Sequence, residues 1–117
     1  MSDSLEINVR SGNGGVVLYL EGRLSIESSP GLRENLLVTL RQQSPPETIA
    51  IDLAAVSYMD TSGIATLIEG LKIARLSGIA MHLQGLQGRL LHLLRATGIG
   101  SLFDSGLENN DSSSAVS

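Results

Sequence analysis

The chain has no cysteine and no tryptophan, and its aromatic side chains are limited to Tyr19, Tyr58 and Phe103. Without cysteine it forms neither a disulfide framework nor a thiolate metal site. So few aromatic residues predict an aliphatic core, and they leave no row of rings on which single-stranded nucleic acid would stack.

Basic residues are also scarce, and long apolar runs are missing. Eight Lys and Arg stand against twelve Asp and Glu, which gives a net charge of −4 and disfavours binding to a polyanion. No apolar run approaches the roughly eighteen residues that a membrane-spanning helix needs. Residues 1–4 are polar and lack the pattern of a signal peptide. We therefore expect a cytoplasmic protein that binds no nucleic acid and does not insert directly into a membrane.

What the chain does contain is enough aliphatic material for one domain. It has 117 residues, of which 42% are hydrophobic and 17% charged, and such a composition is typical of a single globular unit. We predict that the domain spans residues 5–107. Residues 108–117 are mostly Asn, Asp and Ser, and we expect them to form a disordered polar tail.

The hydrophobic pattern predicts an α/β fold. Apolar and polar residues alternate over residues 5–9, an apolar run covers residues 16–20, and the Gly-rich turn between them predicts a hairpin. Helical and strand patterns then alternate, which predicts a mixed, mostly parallel sheet with an N-terminal hairpin and helices packed on it. The later elements are a helix starting at residues 28–30 and ending at 44–46, a strand over 48–53 buried on both faces, a helix over 61–77, a strand over 79–83, a helix over 86–96, and a short strand or packing plug at 102–103.

Candidate catalytic residues lack the partners that catalysis requires. His82 falls on a predicted strand and His92 on the last predicted helix, where a lone histidine is usually a packed or solvated side chain. Ser62 is not in a Gly-x-Ser-x-Gly elbow, and Asp52 and Asp60 do not form a carboxylate pair. We expect no enzyme activity, no metal and no cofactor.

The helix predicted from residue 61 opens on Asp60-Thr61-Ser62-Gly63, and this start has two interpretations. In the first, Asp60 caps the helix by accepting hydrogen bonds from the N–H of Ser62 or Gly63. In the second, Gly63 leaves the first turn bare so that a partner approaches it, and the two hydroxyls are sites of phosphorylation. Phosphate on Thr61 would add about 1.5 to 2 negative charges and repel a partner docked there. Spacing alone favours the cap, whereas the surplus of hydroxyls favours the switch.

The same segment carries a family resemblance. Residues 49–64, with their Asp-Thr-Ser-Gly element, resemble the signature of STAS domains, the family of anti-sigma factor antagonists. Residues 22–24, Gly78 and residues 95–99 match that family as well, so that the resemblance covers about residues 5–104. It implies a mixed sheet with helices on one side, in agreement with the predicted order of elements.

The resemblance also implies a function. In the bacterial regulators of this family, the unphosphorylated antagonist binds an anti-sigma factor that is also a Ser/Thr kinase, and so regulates transcription. Phosphorylation of the first hydroxyl residue after the Asp breaks that complex, and a phosphatase restores it. Carried onto this chain, the acceptor is Thr61, with Ser62 as second choice, and a monomer is the simplest expectation. The implied partner-binding surface comprises Ser25, Glu27, Asp60, Thr61, Ser62 and Gly63.

Three departures from the family pattern leave an alternative open. Thr61 stands where the family more often has Ser, Ser25 stands where it commonly has Asp, with Glu27 two residues on, and no C-terminal helix is recognisable after Phe103. Small STAS proteins associated with lipid ABC transporters share the core motif and often lack the early Asp. The alternative is therefore an accessory subunit of such a transporter, which docks constitutively through the same helix.

Overall fold

The computed structural model describes residues 4–96, which form four strands and three helices. The order ββαβαβα that the sequence predicts is confirmed. The predicted strand or plug at residues 102–103 and the predicted tail over residues 108–117 lie outside the described residues. The elements are β1 (Leu5–Gly12), β2 (Gly15–Leu24), α1 (Ser29–Leu40), β3 (Thr48–Met59), α2 (Thr61–Leu76), β4 (Ala80–Gln84) and α3 (Gly88–Ala96).

The strands form one mixed sheet in the order β1-β2-β3-β4. β1 pairs with β2 antiparallel, and the β2–β3 and β3–β4 pairs are parallel, as predicted. Asn13 and Gly14 join the hairpin, with φ of 53° and 80°. Positive φ at both positions gives a turn whose twist matches that of the flanking strands. The turn is tighter than predicted, and both strands are longer.

The apolar core lies on one face of the sheet. Along β2, Val16, Leu18 and Leu20 are buried, whereas Val17 is half-buried and Tyr19 and Glu21 are exposed. Such alternation is typical of a sheet covered on one side only. The core cluster joins this face to the three helices; its members include Leu18, Leu20, Ile49, Ile51, Leu53 and Leu83 of the sheet and Leu32, Leu36, Leu67, Leu71 and Leu94 of the helices.

β3 differs most from its prediction. Its second face was expected to be buried, but Asp52 is half-buried and Ala54 exposed, and only Ala50 is covered. The strand also continues to Met59, where the sequence predicted a loop after Leu53. β2 runs beside it beyond the predicted end, with two irregularities of register, so that the ends of both strands pair. This pairing keeps the segment extended although its apolar pattern is broken.

The helix boundaries differ in smaller ways. α1 ends at Leu40, earlier than the prolines after Ser44 predicted. On α3, Leu94 is part of the core, and Leu90 and Leu93 pack against it. Ser28 precedes α1 as predicted, but its hydroxyl does not cap the helix. The hydroxyl instead donates to the carbonyl of Arg23 at 2.7 Å and accepts from the N–H of Ser25 at 2.9 Å.

Candidate functional site

The predicted helix cap at Asp60 is confirmed. Asp60 has an extended backbone and stands between the end of β3 and the first residue of α2. Its Oδ1 accepts hydrogen bonds from the N–H of Ser62 at 3.0 Å and of Gly63 at 3.1 Å. One carboxylate oxygen therefore satisfies two N–H groups that a helix start leaves unpaired.

The second oxygen of the same carboxylate has a different partner. Oδ2 of Asp60 accepts from the N–H of Ile26, 34 residues away in the sequence, at 3.1 Å. The N–H of Asp60 in turn donates to the carbonyl of Leu24 at 3.2 Å. Asp60 thus connects the loop between β2 and α1 to the start of α2 by hydrogen bonds. The sequence holds no local signal for this contact, because its two ends belong to separate elements.

Thr61 is the first residue of α2, and its side chain is exposed. Ser62 is half-buried, and its carbonyl accepts from Oγ1 of Thr66 at 2.9 Å. The start of a helix carries a partial positive charge that favours an anionic group nearby. Thr61 therefore lies at the surface beside this partial charge, and Ser62 is less exposed.

Gly63 is buried, and its lack of a side chain allows close packing against the core. A Cβ at this position would lie 2.7 Å from Cγ of Leu24, 2.9 Å from the carbonyl oxygen of Leu24 and 3.0 Å from Cγ of Met59. The first turn of α2 therefore packs directly on the ends of β2 and β3. The expectation that Gly63 bares this turn to an approaching partner is wrong, because the bare side faces the core.

The structure brings Ser25 and Glu27 close to this helix start but exposes them unequally. Ser25 is only 4% exposed, and its carbonyl accepts from the N–H groups of Ser28 and Ser29 at 3.0 and 2.7 Å. Its hydroxyl donates to Oε1 of Glu27 at 3.3 Å. Glu27 itself is exposed. Ser25 thus shapes the loop from inside, and Glu27 contributes to the surface.

Sequence reasoning missed Ile26, the apolar residue between those two. Its side chain is 66% exposed, although its backbone N–H is held by Asp60. A large aliphatic side chain in a short polar loop is the signal that could have identified it. Ile26 borders a shallow depression of about 340 Å³ between α1 and α2, lined also by Ser29, Pro30, Arg33, Ser62, Ala65 and Thr66.

An ion pair joins α1 and α2 beside this depression. Nε of Arg33 on α1 donates to both carboxylate oxygens of Glu69 on α2, at 3.0 and 2.9 Å. The hydrogen bonds that Arg33 donates to Glu69, together with the negative charge of Glu69, raise the pKa of the Arg33 guanidinium. Both side chains are well exposed, so the pair adds a polar contact between the two helices and little stability.

Neither histidine belongs to the site: His82 lies on β4 and His92 on α3, the elements predicted for them. Within residues 4–96 no group of three or more His, Asp and Glu side chains is placed to hold a metal ion. None of the helices in that range has the length and hydropathy to cross a membrane.

Known proteins resemble this chain over nearly its full length. The family model described as the STAS domain matches residues 4–113. An anti-sigma-B factor antagonist of Bacillus subtilis is 29% identical over 101 residues, which cover 86% of this chain and 90% of that protein.

Two solved structures share the fold. An anti-sigma factor antagonist from Mycobacterium paratuberculosis superposes with a TM-score of 0.79 at 18% identity, over 94% of this chain and 90% of the other. The Bacillus cell fate determinant SpoIIAA in its phosphorylated form gives a TM-score of 0.70 at 16% identity, over 91% and 92%. Together with the match of the family model, the order of elements and the Asp-Thr-Ser-Gly start of α2 lead to one assignment: the chain belongs to the STAS domain family.

Proposed function

We propose that this protein is an anti-sigma factor antagonist whose partner is an anti-sigma factor with Ser/Thr kinase activity. The partner binds a patch that we call the Thr61 surface, formed by Ile26, Glu27, Thr61, Ser62 and Ala65. The observation that carries the proposal is the exposed Thr61 hydroxyl at the start of a helix already capped by Asp60. Because the cap is complete without it, the Thr61 side chain is available for another role.

Thr61 is the proposed acceptor of a phosphoryl group. The transfer forms a bond between Oγ1 of Thr61 and the γ-phosphorus of ATP, and breaks the bond from that phosphorus to the oxygen bridging to the β-phosphate. ADP leaves, and the hydroxyl proton passes to a base of the kinase. Both the nucleotide and the base belong to the partner, so this chain contributes the nucleophile alone and needs no cofactor of its own.

Phosphate on Thr61 is expected to weaken partner binding without unfolding the domain. The N-terminal end of α2 offsets part of the added negative charge within the chain. A partner docked on Ile26 has no such compensation, because the phosphate would be desolvated at the contact, next to the carboxylate of Asp60. Both oxygens of that carboxylate are already engaged, so it cannot turn away without losing the loop or the cap. The phosphorylated form would keep its fold and lose its partner, until a phosphatase removes the group.

The names of homologous proteins support the proposal. The Bacillus subtilis relative is named an anti-sigma-B factor antagonist, and homologues of that name also occur in Listeria and Staphylococcus. A structural neighbour of the same fold was solved in a phosphorylated form.

Mass spectrometry after incubation with the partner kinase and ATP tests the acceptor. We expect phosphate on Thr61, its complete absence from Thr61→Ala, and unchanged modification of Ser62→Ala, since Ser62 is half-buried. Phosphate confined to Ser62 or to another residue would contradict the assignment.

Co-purification from native extract distinguishes the proposed antagonist from the alternative, an accessory subunit of a transporter. We expect an ATP-binding kinase to co-purify with the chain and to be lost with Thr61→Asp. An ABC ATPase retained equally by the chain and by Thr61→Asp would favour the accessory subunit.

A further inference from the structure

The outer edge of β1 remains unpaired within the described part of the chain. Sheet order places β1 at one end, next to β2 only. β1 is eight residues long, and Val9 on it is 49% exposed. A long strand edge with free N–H and C=O groups is a template for another strand, and proteins either block such edges or use them.

The hydrogen-bond pattern of the hairpin fixes which residues of β1 face outward. Antiparallel strands alternate between pairs that exchange backbone hydrogen bonds and pairs that do not. The tight turn joins Gly12 to Gly15, and the carbonyl of Ser4 accepts from the N–H of Arg23 at 3.2 Å. Even-numbered residues of β1 therefore direct their backbone groups toward β2. The groups of odd-numbered residues, including Ile7 and Val9, point to the free edge.

The side chains of β1 divide in the complementary way. Ile7 and Val9 pair with Leu20 and Leu18 and so lie on the helix-covered face of the sheet. On the open face, Glu6, Asn8 and Arg10 follow one another along the strand. The edge thus has an apolar side and a polar side, and the polar side carries one negative and one positive charge placed symmetrically about Asn8.

We propose that the edge of β1 pairs antiparallel with the β1 edge of a second copy of this chain, with the two-fold axis at Asn8. In this register Ile7 and Val9 of one copy exchange backbone hydrogen bonds with Val9 and Ile7 of the other. Glu6 of each copy faces Arg10 of the other copy. The pairing joins the two sheets into one of eight strands and extends the apolar face across the axis.

Charge selects this register over its neighbours. Backbone pairing requires an odd residue to face an odd residue, so allowed registers shift the axis by one residue at a time. With the axis at Glu6 or at Arg10, like charges would face each other, which is destabilising. With the axis at Ile7 or Val9, each charge would face the neutral Asn8 or an uncharged residue. The axis at Asn8 is the register that forms both ion pairs.

Exposed ion pairs add little affinity, so the charges set the register, while the backbone bonds and the apolar pairs hold the copies together. The proposal does not depend on what binds the Thr61 surface. It revises the simplest expectation from the sequence, which was a monomer.

Reversal of one charge tests the register. Sedimentation velocity over a concentration series should show the unmodified chain entering a dimer. Glu6→Arg or Arg10→Glu should raise the dimer dissociation constant about tenfold or more, because both variants bring like charges together twice. The double variant Glu6→Arg/Arg10→Glu restores opposite charges and should restore the dimer at unchanged net charge.

Matched controls exclude a general effect of charge. Glu34→Arg on the exposed face of α1 and Lys72→Glu on α2 make the same changes of net charge away from the edge, and both should leave the dimer unaffected. Circular dichroism checks that each variant is folded. A chain that stays monomeric at all concentrations would overturn the proposal, as would a dimer that tolerates both single reversals.

Cross-linking gives an independent test, because the chain has no native cysteine. Asn8→Cys places two thiols across the axis in a non-hydrogen-bonded pair, where the Cα separation suits a disulfide. Mild oxidation should link this variant rapidly and should link the control Tyr19→Cys, on the neighbouring strand, far more slowly. Glu6→Cys and Arg10→Cys should cross-link when mixed and much less when alone. Equal rates for Asn8→Cys and Tyr19→Cys would contradict the pairing.

Discussion

Asp60 is the residue on which the candidate site depends most. Its carboxylate holds the first turn of α2 with one oxygen and the N–H of Ile26 with the other. A single side chain therefore determines both where the helix begins and where the exposed loop residue stands. Any group added to Thr61 lies next to the charge that organises both parts.

Removal of the Asp60 carboxylate should cost more than the loss of an ordinary cap. We expect Asp60→Ala to lower the free energy of unfolding by about 1–3 kcal/mol, since the cap and a long-range hydrogen bond are lost together. Urea denaturation measures this, with Thr61→Ala as an exposed neighbour expected to change stability by only about 0.5 kcal/mol or less. Equal stability of the two variants would show that Asp60 does not organise the site.

Gly63 gives a second prediction at the level of single residues. A methyl group there would overlap with Leu24 and Met59, so Gly63→Ala should destabilise the protein by about 1–3 kcal/mol. A methyl group at Gly31 on α1 would instead extend into open space, with no packed neighbour within 4 Å. Gly31→Ala should therefore stabilise by up to about 1 kcal/mol, because alanine favours a helix. Changes of the same sign in both variants would refute the packing argument.

The sequence was sufficient for the parts of the site that are local. A helix cap is a relation between residues two or three apart, so Asp60 and its two donors were predictable from the order Asp-Thr-Ser-Gly. The contact of Gly63 with Leu24 and the bond from Ile26 to Asp60 join residues far apart in the chain. Their geometry follows from the packing of α2 on the ends of β2 and β3, which no local pattern encodes.

Elements show the same division between local and distant causes. The hairpin, the three helices and the parallel strands were predictable, because turn residues and hydrophobic periodicity are properties of short segments. The length of β3 was not, because its last residues, up to Met59, are extended through pairing with β2. Neighbouring strands supply hydrogen bonds that outweigh a broken apolar pattern.

Ser28 gives a prediction at the level of the element that it precedes. Its hydroxyl serves the loop between β2 and α1, not the helix. Ser28→Ala should leave the N–H of Ser25 without its partner and destabilise the protein by about 1–3 kcal/mol. Hydrogen exchange should accelerate at the amide of Ser25 and remain unchanged at Leu32, whose N–H is bound by the backbone carbonyl of Ser28. Faster exchange in the first turn of α1 alone would show that the hydroxyl caps the helix after all.

At the scale of the whole molecule, the Thr61 surface and the free edge of β1 lie in different parts of the domain. The Thr61 surface lies where β3 ends and α2 begins, and the proposed contact between copies runs along β1. Ends of parallel strands next to helix starts are common places for recognition in α/β proteins. The family model covers residues 4–113, which include both places.

The most direct test of the proposed switch compares this protein with and without phosphate on Thr61. Calorimetry should measure the affinity of the proposed anti-sigma partner for the chain before and after complete phosphorylation, with Thr61→Ala as the control. We predict that phosphorylation weakens binding about 100-fold or more, that Thr61→Ala binds like the unmodified chain, and that circular dichroism is unchanged. Affinities that agree within about threefold for the phosphorylated and unmodified forms would contradict the proposed switch.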